Sequence, residues 1–218
     1  ADATIFRTTE IEWEIVQTRL RETAYLMGSR GVVIDLEDQR SGEKEHYEFK
    51  EGLQTFVKHI NQNKEPLHPE PVYFLKPVEL EGFSGEYMVE LALQYTDSYQ
   101  ENVFTFINNI KTAGGGTHLA GFRAGLTRSL NNYAKQEKLT KEALSGDDFR
   151  EGLTAILSMY VPDPQFEGQT KDKLGNREVQ GLVESVVGEQ LSIYLEEHPA
   201  IARSVVSKAL REIGRAHV

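Results

Sequence analysis

Apolar residues recur at helical spacing through Ile11, Ile15, Val16, Leu20, Ala24 and Met27, which predicts an amphipathic helix facing a core. Thr8 or Thr9 stands where such a helix needs a cap, and Gly28 where it stops. Ahead of it, Ile5-Phe6 reads as a short strand or arm. Behind it, residues 31–36 read as a strand that pairs with residues 46–49 across a charged turn at residues 39–44, giving a hairpin. A second helix over residues 51–63 carries Leu53, Phe56, Val57 and Ile60 on one face. The proline-rich connector at residues 64–71 ends it and reads as a crossing between parts of one domain.

The periodicity then changes from helical to alternating. Residues 73–80, 85–96 and 102–110 predict a strand meander. In its middle strand Tyr87, Val89, Leu91, Leu93 and Tyr95 share one face while Met88, Glu90, Ala92 and Gln94 share the other, so one buried side is expected. Residues 153–161 alternate in the same way and supply a fourth long strand. Between the third and fourth strands a glycine run, residues 112–118, leads into a helix striped with Leu119, Phe122, Leu126, Leu130 and Tyr133. Two helices close the chain. One covers residues 177–197 with Val179, Leu182, Val183, Val186 and Ile193 inward; the other starts at Pro199 and is expected to project as a connector.

Composition narrows the class. At 218 residues the chain can bury a sizeable core, and it has no cysteine, which excludes disulfides and thiolate metal sites and fits a cytoplasmic protein. No apolar run is long enough to cross a membrane, so no membrane partner is expected. A start at Ala1 suggests a piece of something longer. The net charge of −10 repels nucleic acid over much of the surface, so DNA contact would need local basic patches such as Arg123 with Arg128, or Arg203 with Lys208 and Arg211.

Catalytic constellations of the usual kinds are absent. The six histidines show no metal-ligand spacing, no GxSxG elbow is present, and Asp147, Asp148 and Glu151 near Arg150 are read as a cap and an ion pair. The glycine run has neither dinucleotide spacing nor a phosphate-loop lysine, so it is read as a turn that lets strand and helix pack closely. The stretch that draws attention is residues 161–179, with two prolines, two glycines and seven charged side chains between a strand and a helix. It predicts a long exposed loop, disordered without a ligand, that presents Gln169-Thr170-Lys171 at its tip. A tip lysine is a mobile point charge suited to a phosphate, and a neighbouring glutamine adds amide donors.

The string from Pro164 to Leu174 closely resembles the segment that bacterial type II topoisomerases, DNA gyrase B and its topoisomerase IV counterpart, present to the terminal phosphate of ATP. Three further blocks lie in the same order as in that family's transducer domain. They are Arg19-Leu20-Arg21-Glu22 with Ala24-Tyr25-Leu26; Asn108-Asn109-Ile110 through Gly115-Gly116-Thr117-His118 to Gly121-Phe122-Arg123; and Gly146-Asp147-Asp148 with Arg150-Glu151-Gly152-Leu153. Together they cover nearly the whole chain. One departure is Gly114, where many members carry an acidic residue.

The resemblance implies an α+β fold: a four-stranded sheet with helices on one face and a left-handed βαβ crossover, preceded by a helix and hairpin and followed by a projecting C-terminal helix. It implies one transducer domain over residues 1–218, divided at about 70 and 176, with the nucleotide-binding and DNA-gate domains lying outside the chain. It implies that Lys171 acts as a catalytic cation and, with Gln169, contacts the ATP terminal phosphate, and that Arg123 lines a DNA cavity; an ordinary ion pair on a helix surface is the other reading of Arg123. ATP and Mg²⁺ would be used by the parent protein and not by this chain alone. Its partners would be its own N-terminal ATP-binding domain, gyrase A, DNA and a second copy of the parent protein. A non-catalytic interaction module is the alternative from a different class. A small-molecule kinase is disfavoured, because its phosphate-binding glycine and serine motif is missing.

Overall fold

The computed structural model describes residues 4–5 and 11–216, and of residues 212–216 the backbone only. The chain divides into two compact units, residues 1–56 and 57–218.

In the first unit α1 (Trp13–Met27) is followed by a single 3-10 turn and Gly31, whose φ of 77° reverses the chain. β1 (Val33–Glu37) and β2 (Lys44–Glu48) form the expected antiparallel hairpin, with Ile34 opposite Tyr47. The expected caps Thr8 and Thr9 lie outside the described residues; Glu12 precedes the helix without a side-chain cap. The apolar stripe is shorter than its spacing implies. Ala24, Tyr25 and Leu26 are buried, whereas Ile11 and Ile15 are 66% and 64% exposed. Tyr25 anchors the buried end, its ring stacked on Phe49 at 3.8 Å and on Phe56 at 4.5 Å, while Val16 and Leu20 are half-buried.

In the second unit the sheet is built from β3 (Val72–Glu79), β4 (Glu86–Tyr95), β5 (Asn102–Ile107), β6 (Ile110–Lys111) and β8 (Leu153–Tyr160), in the order β3-β4-β8-β5-β6. The four long strands are those expected, and β6 adds a two-residue fifth. All neighbours are antiparallel except β5 and β8, which run parallel with Phe104 opposite Ile156. That pair requires a crossover, and α3 (Thr117–Gln136) lies between them in the chain. Asn108 and Asn109, at φ 49° and 63°, make the two-residue turn from β5 to β6. The Asn108 side chain pairs in both directions with the Val161 backbone, at 2.9 and 2.8 Å, which ties that turn to the end of β8.

One sheet face, Tyr87 to Tyr95 in alternation, packs in one cluster with α3, α5 (Arg177–Glu197) and α6 (Pro199–Ala216). Contrary to the single buried face expected, the other face is also covered: Glu90, Ala92, Gln94, Thr154 and Ile156 are all buried. Burial there is tolerated because the polar groups are paired. Asn61, just beyond α2 (Leu53–Ile60), donates to Gln94 at 3.0 Å and accepts from Thr154 at 2.7 Å. His68, in the proline-rich connector, accepts from the Tyr95 backbone N–H at 3.0 Å. The connector is therefore part of the sheet's covering, and Pro66 bridges Thr96.

α3 and α5 run in the same direction and approach through small residues. A β-carbon on Gly125 would lie 2.9 Å from the Glu184 carbonyl oxygen, and Ser129 donates to the Gly188 carbonyl at 3.2 Å. Ile193, expected inward, is 46% exposed; Leu191 and Leu195 take the inward positions. The buried face winds along the helix, from Val179, Leu182 and Val186 in its first half round to Val187, Leu191 and Leu195, so Ile193, nearly in line with Val186, falls off it. α6 stays on the body through buried Ala202, Val205, Val206 and Ala209, which confines any projection to the turns beyond Ala209. Lys208 is buried too, and donates to the Ser98 carbonyl at 2.9 Å.

Candidate functional site

The loop after β8 is a closed hairpin with a backbone frame, in contrast to the disorder its composition suggests. Glu167 N–H donates to the Lys173 carbonyl at 2.8 Å, Gly175 N–H donates to the Gln165 carbonyl at 2.7 Å, and Phe166 bridges Leu174. Asn176 anchors its base. Its Oδ1 accepts from Gln165 N–H at 2.7 Å, and its Nδ2 donates to the Asp163 carbonyl and to Glu178.

At the apex Gly168 has φ 86° and Lys171 φ 58°, so a residue with a β-carbon occupies the left-handed region. Gln169, Thr170 and Lys171 are all exposed there. The neighbouring Lys173 is engaged by Glu167 at 3.0 Å, whereas the Lys171 ammonium has no ion-pair partner among the described residues. Chemically the apex is a short turn that carries one uncommitted cation and one amide, mounted on a defined frame.

The frame is docked on the glycine run. β7 (Gly115–Gly116) pairs in parallel with β9 (Lys173–Leu174), and Gly114 N–H donates to the Asp172 carbonyl at 2.9 Å. Gly116, at φ 129°, has no room for a β-carbon, which would stand 2.5 Å from the Leu174 nitrogen and overlap its carbonyl oxygen. The close packing expected of these glycines is thus correct, but the packing partner is the charged loop.

Behind the run, fully buried His118 places Nε2 2.9 Å from Thr112 Oγ1, and Thr112 Oγ1 lies 2.7 Å from Thr105 Oγ1. Burial holds the His118 imidazole down at about 4, so it is neutral near pH 7.

Arg123 is not brought together with Lys171. It lines a cleft of about 430 Å³ below the hairpin, with Thr117, Glu167, Lys173, Leu174 and Gln180. Its Nη2 donates to Glu101 at 2.7 Å, and Glu101 also accepts from Arg150 at 3.2 Å. Arg150 pairs with Asp147 as well, and Asp148 closes a capping box with Ser145 at α4 (Gly146–Arg150), so the acidic cluster has the structural role expected of it. Glu101 and Asn176 are the positions that sequence reasoning missed. Asn176, directly before a helix, carried a visible signal as a cap, whereas Glu101 carried none.

A family model described as DNA gyrase B matches residues 52–216. The DNA gyrase B of Clostridium acetobutylicum is 49% identical over 212 residues, covering 96% of this chain and 32% of that protein. The 43K ATPase domain of Thermus thermophilus gyrase B, solved with an aminocoumarin, superposes with a TM-score of 0.81 at 38% identity, covering 99% of this chain and 58% of that one. The topoisomerase IV ATP-binding domain of Francisella tularensis, at 22% identity and TM-score 0.81, shares the fold. The chain thus spans about a third of the length of the Clostridium relative, 32%. With the glycine run, the Asn108-Asn109 turn and the Lys171 hairpin all lying inside the matched residues, the chain belongs to the DNA gyrase B family.

Proposed function

We propose that this chain is the transducer portion of an ATP-dependent type II DNA topoisomerase, and that Lys171 and Gln169 report the terminal phosphate of ATP bound by a neighbouring domain. The observation that carries this reading is the uncommitted Lys171 ammonium at the apex of a hairpin whose backbone is fixed on the glycine run. Hydrolysis builds charge on the equatorial oxygens of the transferred phosphoryl group, and a cation held in place there stabilises the transition state. Gln169 donates an amide N–H to the same group. Both contacts vanish when phosphate leaves, so the preference for one orientation of the neighbouring domain vanishes with them.

The sheet and its helices then act as a lever that couples nucleotide state to clamp closure and DNA strand passage. Arg123, paired with Glu101 and 42% exposed, faces DNA in the passage cavity. In the parent protein the partners are the N-terminal ATP-binding domain, gyrase A, DNA and a second copy of the parent protein, in the cytoplasm. Among the described residues no helix is long and apolar enough to cross a membrane. No three His, Asp or Glu side chains among them are grouped to hold a metal, and no step assigned to this chain passes through Mg²⁺.

The test is ATP hydrolysis by three proteins: this chain alone, the longer protein that carries its N-terminal ATP-binding domain, and that longer protein with Lys171→Ala. The wild-type longer protein turns over, this chain does not, and Lys171→Ala falls by about 10². Hydrolysis by this chain alone, or normal turnover by the variant, overturns the reading and favours a non-catalytic interaction module.

A further inference from the structure

The hairpin that carries Lys171 rests on three consecutive glycines, the residues that lose most conformational freedom on folding. A platform made of them holds its shape only if both ends are fixed. The lower end is Thr112, whose backbone N–H donates to the Thr105 carbonyl at 2.9 Å and whose own carbonyl accepts from Gly115 N–H at 2.9 Å. The upper end is the first turn of α3, where Gly116 precedes the helix without any side-chain cap. A buried side-chain contact joins the two ends: His118 Nε2 to Thr112 Oγ1, 2.9 Å.

The tautomer follows from counting protons. Thr112 Oγ1 has one hydrogen, and the Thr105 carbonyl lies 3.0 Å away to accept it. His118 Nε2–H then donates to the same oxygen, and Nδ1, which has no partner among the described residues, is left as a bare acceptor rather than a buried orphan donor. The opposite tautomer would strand an N–H at Nδ1 and leave the Thr105 carbonyl without this bond. The hydrogen bonds therefore place a neutral, Nε2-protonated imidazole as a crossbar over the glycine run.

From that geometry we infer that His118 is a positioning residue for Lys171. It touches no phosphate. It closes the segment from Thr112 to His118, and the closed segment presents Gly114, Gly115 and Gly116 in the register that Asp172, Lys173 and Leu174 require. Lys171 directly precedes that segment, next to Asp172. Loss of the crossbar leaves the core packing in place but lets the platform, and with it the ammonium, wander from the geometry a phosphate needs; misplacement of a catalytic group by about 1 Å can cost about 10²-fold in rate. This inference rests on the role proposed above for Lys171, but its first readout does not.

The test compares His118→Leu, which removes the donor, with His118→Gln, whose amide N–H replaces Nε2–H. In the 218-residue chain, amide hydrogen exchange over residues 112–118 and 163–175 accelerates at least tenfold in His118→Leu, while β4 and α5 stay protected; His118→Gln restores slow exchange. In the longer protein with its ATP-binding domain, His118→Leu lowers kcat roughly tenfold with KM little changed, His118→Gln recovers most of it, and His118→Leu adds nothing on top of Lys171→Ala. Unchanged exchange in a folded His118→Leu chain overturns the positioning role outright. If both variants lose protection everywhere, His118 is a core residue only, and the inference is wrong. If exchange accelerates as expected while neither His118→Leu nor Lys171→Ala alters turnover, the crossbar stands and the phosphate role of Lys171 falls. A His118→Leu defect that persists in the Lys171→Ala background means that the imidazole acts by another route, which overturns positioning of Lys171.

Discussion

Gly116 and Leu174 are neighbours across a two-strand parallel ladder so close that the Leu174 backbone fills the space a β-carbon on Gly116 would need. This contact mounts the Lys171 hairpin on the helical layer. Gly116→Ala meets both a steric overlap and a φ of 129°, which L side chains rarely adopt. We expect a loss of about 2–4 kcal/mol, the scale of overpacking plus a strained dihedral, read by urea unfolding of the chain. Faster proteolysis within residues 163–175 should accompany it. An alanine variant as stable as the parent would mean that the ladder is not formed.

Lys171→Ala should leave stability unchanged while changing function. The side chain is exposed and has no ion-pair partner among the described residues, so the melting temperature of the chain should shift by no more than the scatter of the measurement. Differential scanning calorimetry of wild type and variant checks this. A large drop would show that the ammonium holds the hairpin together.

Acid should weaken the second unit through His118. Its folded value lies at about 4, below the ordinary 6.5, because burial penalises the charged ring. Between those values the unfolded chain binds a proton that the folded chain does not, so stability falls as pH drops through that window, by at most about 3 kcal/mol. His68, lowered in the same direction by burial, adds to the trend. Asp38, held down at about 2 chiefly by its bond to Arg40, loses its contribution only below the ordinary carboxylate value of 3.8, in a separate and more acid window. Urea midpoints at about pH 7, 5.5 and 4.5 should decline, and His118→Gln should flatten that slope.

The α3 and α5 contact predicts a further kind of failure. Gly125→Ala would bring a methyl group 2.9 Å from the Glu184 carbonyl oxygen and 3.1 Å from Val187. Alanine favours a helix by about 1 kcal/mol over glycine, but the forced separation of the helices should outweigh this and leave a net loss of about 1–2 kcal/mol. Thermal denaturation of Gly125→Ala beside Gly181→Ala, where nothing lies within 4 Å, separates the terms; only the latter should gain stability.

Much of this was legible in the chain. The bounds of α5, the apolar stripe of α3, the alternation of β4 and the apex position of Lys171 follow from spacing, because periodicity of 3.6 or 2 and turn residues act locally. Local pattern failed wherever a distant segment decides burial. Ile11 and Ile15 have a helical stripe without a partner beneath it, and Glu90, Gln94 and Thr154 look like a solvated face until Asn61 and His68 cover them. Arg123 was divided on sequence between an ion pair and the wall of a DNA cavity, and the structure shows the ion pair, to Glu101 at 2.7 Å.

Local spacing is enough to place the hairpin, the four long strands and every α-helix except the short α4, and to put an exposed lysine at the tip of a charged loop; the absence of cysteine excludes thiol chemistry in this chain. That this loop is a fixed hairpin emerges only in the folded chain, since the order comes from a parallel ladder between residues 115–116 and 173–174 and from a buried imidazole between its supports. The imidazole contact spans one short segment, from Thr112 to His118, whereas the ladder joins positions far apart in the chain. Hydrogen bonds of that kind depend on where the backbone returns, and no local pattern encodes the return.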